Sequence, residues 1–209
     1  MIQPVRLGFV ASLNRPRGNA TGVAIFSSEL GAKRLELLRE LIPGSKTITV
    51  LINADFGSSA RFRADVEAAG RALGLATPTL SASKPSDIEA AFDNLFQTRP
   101  DALLVGPGPF LDSNRDLLIA GAAKAAIPAG YETRASAMAG GLVSYGADVG
   151  DAYRQAGVYV GRVLKNEKPA DLPVARVTKL ELVINLKTAK ALGLDLPAKI
   201  LAVADAVVE

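Results

Sequence analysis

Cysteine, histidine and tryptophan are all absent from this 209-residue sequence. Without a thiol or an imidazole the chain cannot build a Ser-His-Asp or Cys-His nucleophile, a thiolate or imidazole metal site, or a disulfide. Carboxylate, lysine and tyrosine chemistry stays open, so these absences lower the case for an enzyme without removing it. Aromatic residues amount to only 5%. That scarcity, set against abundant Ala, Leu, Val and Gly, favours helices packed closely on a buried sheet over an all-β sandwich. No run of about 18 uncharged apolar residues occurs, so no membrane-spanning helix is predicted. The start, Met1-Ile2-Gln3-Pro4, has no basic segment followed by an apolar run, and no signal peptide is predicted.

What is present suffices for a substantial core, with 49% hydrophobic and 22% charged residues. The net charge is +3, but the cations alternate with carboxylates, as in Lys33-Arg34-Leu35-Glu36 and Arg39-Glu40. That pattern reads as solvated helix faces carrying neighbouring opposite charges. No basic cluster is interleaved with aromatics, so nucleic acid is not an expected partner.

Strand and helix patterns take turns along the chain. Thr47 to Ile52, Ala102 to Val105 and Leu142 to Tyr145 are short apolar runs that read as buried parallel strands, with Thr21 to Phe26 a further candidate and Ala76 to Leu80 and Ile127 to Tyr131 weaker ones. Between them, Leu30, Leu35, Leu38, Leu41 and Ile42 form a helical stripe that Pro43-Gly44 ends. Phe62, Val66, Ala69 and Leu73 form the next, with Gly74 as its stop. Ser86 and Glu89 have the spacing of a capping box ahead of Ile88, Phe92, Leu95 and Phe96, and Asp112-Ser113 opens a fourth helix. This alternation predicts an α/β fold, a parallel β-sheet flanked by helices in three α/β/α layers.

In such sheets small ligands sit beyond the carboxyl ends of the strands. The residues found there are Phe26-Ser27-Ser28, Asn53-Ala54-Asp55-Phe56-Gly57, Gly106-Pro107-Gly108-Pro109-Phe110 and Tyr131-Glu132-Thr133. Aromatic walls with a few hydrogen-bonding groups suit a small polar solute. A plainer reading stands beside each: Phe56 and Phe110 as lids over helix termini, Ser27-Ser28 as an N-cap. Gly106-Pro107-Gly108-Pro109 lacks the Gly-Lys-Ser/Thr ending of a phosphate loop, and its prolines remove amide donors. Gly18 to Gly22 does not match a dinucleotide fingerprint. No cofactor or metal is expected.

Several stretches resemble the substrate-binding proteins of ABC transporters, of the type associated with tryptophan or tyrosine uptake. They are Val10 to Pro16 with Gly18 to Val23, Ser28 to Leu38, Ala102 to Gly106, Gly140 to Gly146, Asp151 to Gly157, Leu172 to Val174 and Leu182 to Ala189. The resemblance implies a type I periplasmic-binding-protein fold, in which two α/β lobes close on a ligand between them. It implies four segments: 1–20 as a remnant of the first lobe and hinge approach, 21–145 as the main ligand-binding lobe, 146–175 as a return segment belonging to the other lobe, and 176–209 as a C-terminal return to the main lobe. Gly18 to Val23 and Gly140 to Gly146 fall at the crossings, where glycine absorbs backbone rotation; ordinary turns are the alternative there. Members carry a complete first lobe ahead of the Pro4 to Gly8 region, so a truncated cleft is expected here.

The ligand contacts implied are Asn53, Asp55, Phe56, Gly106, Pro107, Phe110, Tyr131, Glu132 and Tyr145. The carboxylates would answer an ammonium group, amide and backbone groups a carboxylate, and the rings a flat side chain. The expected partners are a small-molecule ligand such as an amino acid and an ABC membrane permease, in an extracytoplasmic setting. Self-association is expected through the surface the missing lobe would cover, because the helix pattern from Val149 to Leu164 has an apolar stripe without its sheet. A sensor or regulatory domain of the same fold, or less readily a small α/β enzyme, remains an alternative.

Overall fold

The computed structural model describes residues 4, 5, 7–25 and 27–209, with the side chains of Ser27 and Ser28 outside the description. The readings placed on Met1 to Gln3, Arg6 and Phe26 therefore fall outside the described residues. The chain divides into two units, one of Met1–Phe26 with Ala147–Leu180 and one of Ser27–Gly146 with Glu181–Glu209.

The elements in chain order are β1 (Val23–Ala24), a 3₁₀ turn at Ser27–Leu30, α1 (Gly31–Leu41), β2 (Ile48–Ile52), α2 (Ser59–Leu73), β3 (Thr79–Ser81), α3 (Pro85–Thr98), β4 (Ala102–Val105), α4 (Pro109–Ser113), α5 (Arg115–Ala125), β5 (Ala129–Tyr131), α6 (Arg134–Met138), β6 (Val143–Ala147), α7 (Val149–Leu164), β7 (Ala175–Arg176), β8 (Leu180–Asn185), α8 (Leu186–Ala191), α9 (Ala198–Ala202) and β9 (Ala206–Val208). A seven-stranded sheet has the order β3-β2-β4-β5-β6-β8-β9. β2 pairs in parallel with β3 and β4, β4 with β5, β5 with β6, and β8 with β9. Beside β6 the direction reverses: the Asn185 amide donates to Leu142 O at one end of the pair, and Asp148 N donates to Lys179 O at the other. The sheet is therefore mostly parallel.

Side-chain alternation along the strands builds a core on each face. Ile48, Val50 and Ile52 of β2 with Ala102 and Leu104 of β4 join Leu35, Leu38 and Leu41 of α1 and Phe62 and Val66 of α2. Leu51, Leu103 and Val105 face the other way, onto Ile88, Phe92 and Leu95 of α3 and Leu118 and Ala122 of α5. This is the three-layer α/β/α arrangement read from the sequence. The strand and helix stops match in detail at Gly74, which caps α2 in the left-handed conformation at φ 68°.

Three local expectations are corrected. The described part of the Thr21 to Phe26 run, Thr21 to Ile25, does not enter the large sheet; β1 is two residues long and pairs with β7 in a separate two-stranded sheet. The start of α3 is capped by Asp87, whose Oδ2 accepts from Ser83 N, Lys84 N and Ser83 Oγ, in place of the expected Ser86 and Glu89. The helix expected from Asp112 is broken at Asn114 into α4 and α5.

The smaller unit is organised around β1, β7 and α7. Asp148 caps α7 by accepting from Asp151 N at 2.9 Å and pairs with Lys179 at 2.7 Å. Thr21 Oγ1 donates to Leu172 O at 2.6 Å, and Val174 N donates to Leu13 O at 2.7 Å. A groove of about 390 Å³ lies along the unit, lined by Gly22, Tyr159, Val160, Val163 and Leu164 among others.

Candidate ligand-binding site

Strand order locates the site. β3 lies on one side of β2 while β4, β5 and β6 follow on the other, so the connections diverge at β2 and β4 and leave a crevice beyond their carboxyl ends. Because β2, β4, β5 and β6 run parallel, the segments that follow them share one edge of the sheet.

After β2 the chain turns sharply. Asn53 Oδ1 accepts from Asp55 N at 2.9 Å and Asn53 O accepts from Phe56 N at 3.1 Å. The turn carries the half-buried Phe56 back over the β4 loop, while Asp55 stays exposed. A Cβ on Gly108 would come to 3.0 Å from the Phe56 ring, and Gly108 has φ 135°, a conformation that side chains rarely adopt. Glycine at this position lets the ring lie directly on the loop backbone. Gly106 and Pro107 are buried, and the Gly106 amide donates to Leu51 O at 2.8 Å. Phe110, in the first turn of α4, is half-buried and packs towards the core on the α3 side.

The β5 and β6 ends complete the edge. Glu132, half-buried, accepts through Oε2 from Gly108 N at 3.3 Å, so the carboxylate spans from the β5 loop to the β4 loop. Thr133 Oγ1 donates to Asp112 Oδ1 at 2.9 Å and fastens the same two loops. Tyr145 is half-buried near the end of β6, and a Cβ on Gly146 would run into the Glu132 carbonyl oxygen. The β5 and β6 ends can approach this closely because Gly146 has no side chain.

Tyr131 is placed differently from the sequence expectation. Its backbone closes β5 at the edge, but its ring is 2% exposed and sits in the core on the α3 and α5 face. Burial pushes its phenol well above the ordinary value, so the hydroxyl stays neutral, and it has no hydrogen-bond partner. It lines a cavity of about 490 Å³ beside Ile119, Ala126, Met138 and Leu192.

Arg34 was missed altogether. The Lys33 to Glu36 run reads as a solvated face, yet Arg34 is 2% exposed. Its Nε donates to Tyr145 O at 2.6 Å. Burial lowers its pKa, while the charge of Glu132 and then the Tyr145 phenol oppose that shift. Nη1 and Nη2 have no hydrogen-bond partner. The signal was in the periodicity: Arg34 precedes Leu38 by four residues and Leu41 by seven, so it lies within the apolar stripe of α1.

The edge thus brings together Phe56, Gly106, Gly108, Glu132, Tyr145 and Arg34, with Asn53 holding the turn. It can offer a ring, a carboxylate and a buried cation to a small polar molecule. Among the described residues no group of His, Cys, Asp or Glu could hold a metal ion.

Known proteins agree with this architecture. A family model described as ABC transporter substrate binding protein matches residues 1–208. A curated tyrosine-binding protein of Clostridioides difficile (strain R20291) is 27% identical over 192 residues, which is 92% of this chain and 55% of that protein. The chain therefore spans about half the length of the curated relative it matches. The structure of an ABC domain from Streptococcus pneumonia in complex with L-Trp superposes with a TM-score of 0.86 at 27% identity, covering 99% of this chain and 70% of that one. A conserved domain protein of Vibrio cholerae shares the fold at 24% identity and a TM-score of 0.86, covering 98% of this chain and 68% of that one. With its doubly covered, mostly parallel sheet and a match along nearly its entire length, this chain belongs to the ABC transporter substrate-binding protein family.

Proposed function

We propose that the unit Ser27–Gly146 with Glu181–Glu209 binds a small polar solute, an amino acid of aromatic type, as the ligand-binding lobe of an ABC import system. The observation that carries the reading is the convergence of Phe56, Glu132 and Tyr145 with a buried arginine at the carboxyl edge of the sheet, flanking the point where the β2 and β4 connections diverge. The relatives support the aromatic class: one is named for tyrosine and another was solved with L-Trp. In this reading Glu132 answers the ligand ammonium, and the rings of Phe56 and Tyr145 stack on its side chain. The other expected contacts, Asn53, Asp55, Gly106, Pro107 and Phe110, shape the loops that present these groups. Tyr131 supports β5 from the core.

The partners in this reading are the membrane permease of the importer and, for the chain as it stands, a second copy. Tyr153, Val160 and Leu164 on α7 are exposed and apolar, and such surface favours association. Delivery to a permease implies an extracytoplasmic location. Isothermal titration of the 209-residue chain with the twenty amino acids tests the ligand class. Saturable heat with L-tyrosine or L-tryptophan, and weaker or no heat with aspartate and lysine, is the expected outcome. A preference for charged side chains, or binding of none of the twenty, would overturn the reading.

A further inference from the structure

Backbone and amide donors are the expected partners of a ligand carboxylate, and many of those at the edge are already committed. The Gly106 amide is given to Leu51 O, the Gly108 amide to Glu132, the Asp55 amide to the Asn53 side chain and the Phe56 amide to the Asn53 carbonyl. Pro107 and Pro109 have no N–H to give. Among the described residues, the buried side-chain groups left without a partner are the hydroxyls of Ser45, Ser59, Thr79, Tyr131 and Ser144 and the two terminal nitrogens of Arg34, and of these Arg34 alone is a cation.

A buried guanidinium in this state is costly. Burial of an ionised group without full pairing disfavours the folded state, and Arg cannot escape by releasing its proton. Packing alone does not call for it, since the contact that ties α1 to the end of β6 uses Nε only. Glu132 acts on Arg34 electrostatically, yet its carboxylate oxygen is turned to Gly108 N. The negative group whose charge reaches the guanidinium is thus hydrogen-bonded to the β4 loop and not to Arg34.

We propose that Arg34 is the carboxylate anchor of the ligand site, its Nη1 and Nη2 taking the two oxygens of an α-carboxylate in a bidentate pair while Glu132 takes the ammonium. This rests on the amino-acid reading above and narrows it to free zwitterions, in which both charges are present on one carbon. Guanidinium and carboxylate match as planar forks, which is why arginine rather than lysine suits the position. The fork is shut from water in this conformation, so the acceptor reaches it as its surroundings part, and ligand binding satisfies donors that are orphaned in its absence.

The test compares three molecules that share a ring: L-tyrosine, tyramine, which lacks the carboxylate, and 3-(4-hydroxyphenyl)propanoate, which lacks the ammonium. Titration calorimetry on the wild-type chain is expected to show L-tyrosine binding about 100-fold tighter than tyramine, the scale of two charge-assisted hydrogen bonds. Arg34→Met is expected to bring L-tyrosine down to the level of tyramine and leave tyramine unchanged. Arg34→Lys, which keeps the charge and loses the fork, is expected to retain about a tenth of the wild-type affinity. Glu132→Gln is expected to weaken L-tyrosine and tyramine together and spare the propanoate. Should Arg34→Met fail to fold by circular dichroism, the wild-type ratio of L-tyrosine to tyramine still decides. Equal binding of the two by wild type, or equal loss of both in Arg34→Met, would make Arg34 a purely structural residue. If wild type binds neither L-tyrosine nor L-tryptophan, the amino-acid reading itself falls and takes the anchor with it.

Discussion

β4, an interior strand of the seven-stranded sheet, has all four of its residues buried, whereas α7, with sixteen residues, buries Ala152 alone. β4 has a core cluster on each face, and its alternate residues divide between them. α7 has a two-stranded sheet of two-residue strands to lean on, and Leu164 is 78% and Tyr153 76% exposed. Both sequences are apolar enough to seek cover. The difference shows that burial is set by what the rest of the chain supplies, not by the hydrophobicity of the segment.

Mutation should expose this contrast most strongly in the core. Leu104→Ala is expected to destabilise the larger unit by about 2–5 kcal/mol, the range for deleting a fully buried leucine side chain. Leu164→Ala on α7 is expected to stay within about 0.5 kcal/mol. Urea unfolding followed by circular dichroism measures both. Similar costs at the two sites would break the comparison.

Glycine substitutions should differ in sign. Gly146→Ala would drive a methyl group into the Glu132 carbonyl oxygen, backbone that cannot rotate away, and is expected to cost about 1–3 kcal/mol. Gly157 and Gly161 lie inside α7 with open space where a Cβ would stand. Alanine at either is expected to stabilise the helix by about 0.5–1 kcal/mol, because glycine loses more chain entropy on ordering. The two sets of variants can be ranked by thermal melting.

Acid sensitivity is the subtlest distinction. Asp101 in the larger unit accepts from Lys46 N and Thr47 N, and these bonds hold its carboxyl below the ordinary value. Asp148 in the smaller unit is lowered first by Lys179 and then by the Asp151 amide. A carboxylate whose folded pKa is depressed stabilises the fold above its unfolded pKa, and that contribution fades as pH falls through the lower folded value. Both units should therefore weaken below about pH 4. Added salt is expected to reduce the contribution of the Asp148–Lys179 ion pair, with Lys179 side-chain exposure of 65%, more than that of Asp101. Asp101→Asn should flatten the acid limb of the stability profile for the larger unit, read from urea midpoints between pH 3 and 6. An unchanged acid limb would remove Asp101 from the account.

Much of the larger unit was legible because its signals were local. Apolar runs of four to six residues flanked by turn residues marked β2, β4 and β6, and helical stripes marked α1, α2 and α3. Gly74 stopped α2 where a left-handed cap was needed. The partner of β1 was not legible, since nothing in Thr21 to Phe26 says whether its neighbour is β2 or the distant β7. Asp87 displaced the Ser86 and Glu89 box because three donors happened to converge on it. At the candidate site, position after a strand was enough to place Phe56 and Glu132 at the carboxyl edge of the sheet but could not say which way Tyr131 would point. Alternation along β5 sends its ring to the α3 face. Arg34 was hidden by charge composition, which outweighed its place in the apolar stripe.

The central claim is that ligand recognition belongs to the carboxyl edge where β2, β4, β5 and β6 end. Backbone amide NMR of the 209-residue chain titrated with L-tyrosine tests it most directly. The account predicts shifts concentrated at Asn53 to Gly57, at Gly106, Gly108 and Phe110, at Glu132 and Thr133, and at Tyr145 and Gly146, with the Arg34 side-chain Nε resonance moving as well. Shifts centred instead on the cavity lined by Ile119, Ala126 and Leu192, with this edge unperturbed, would contradict it.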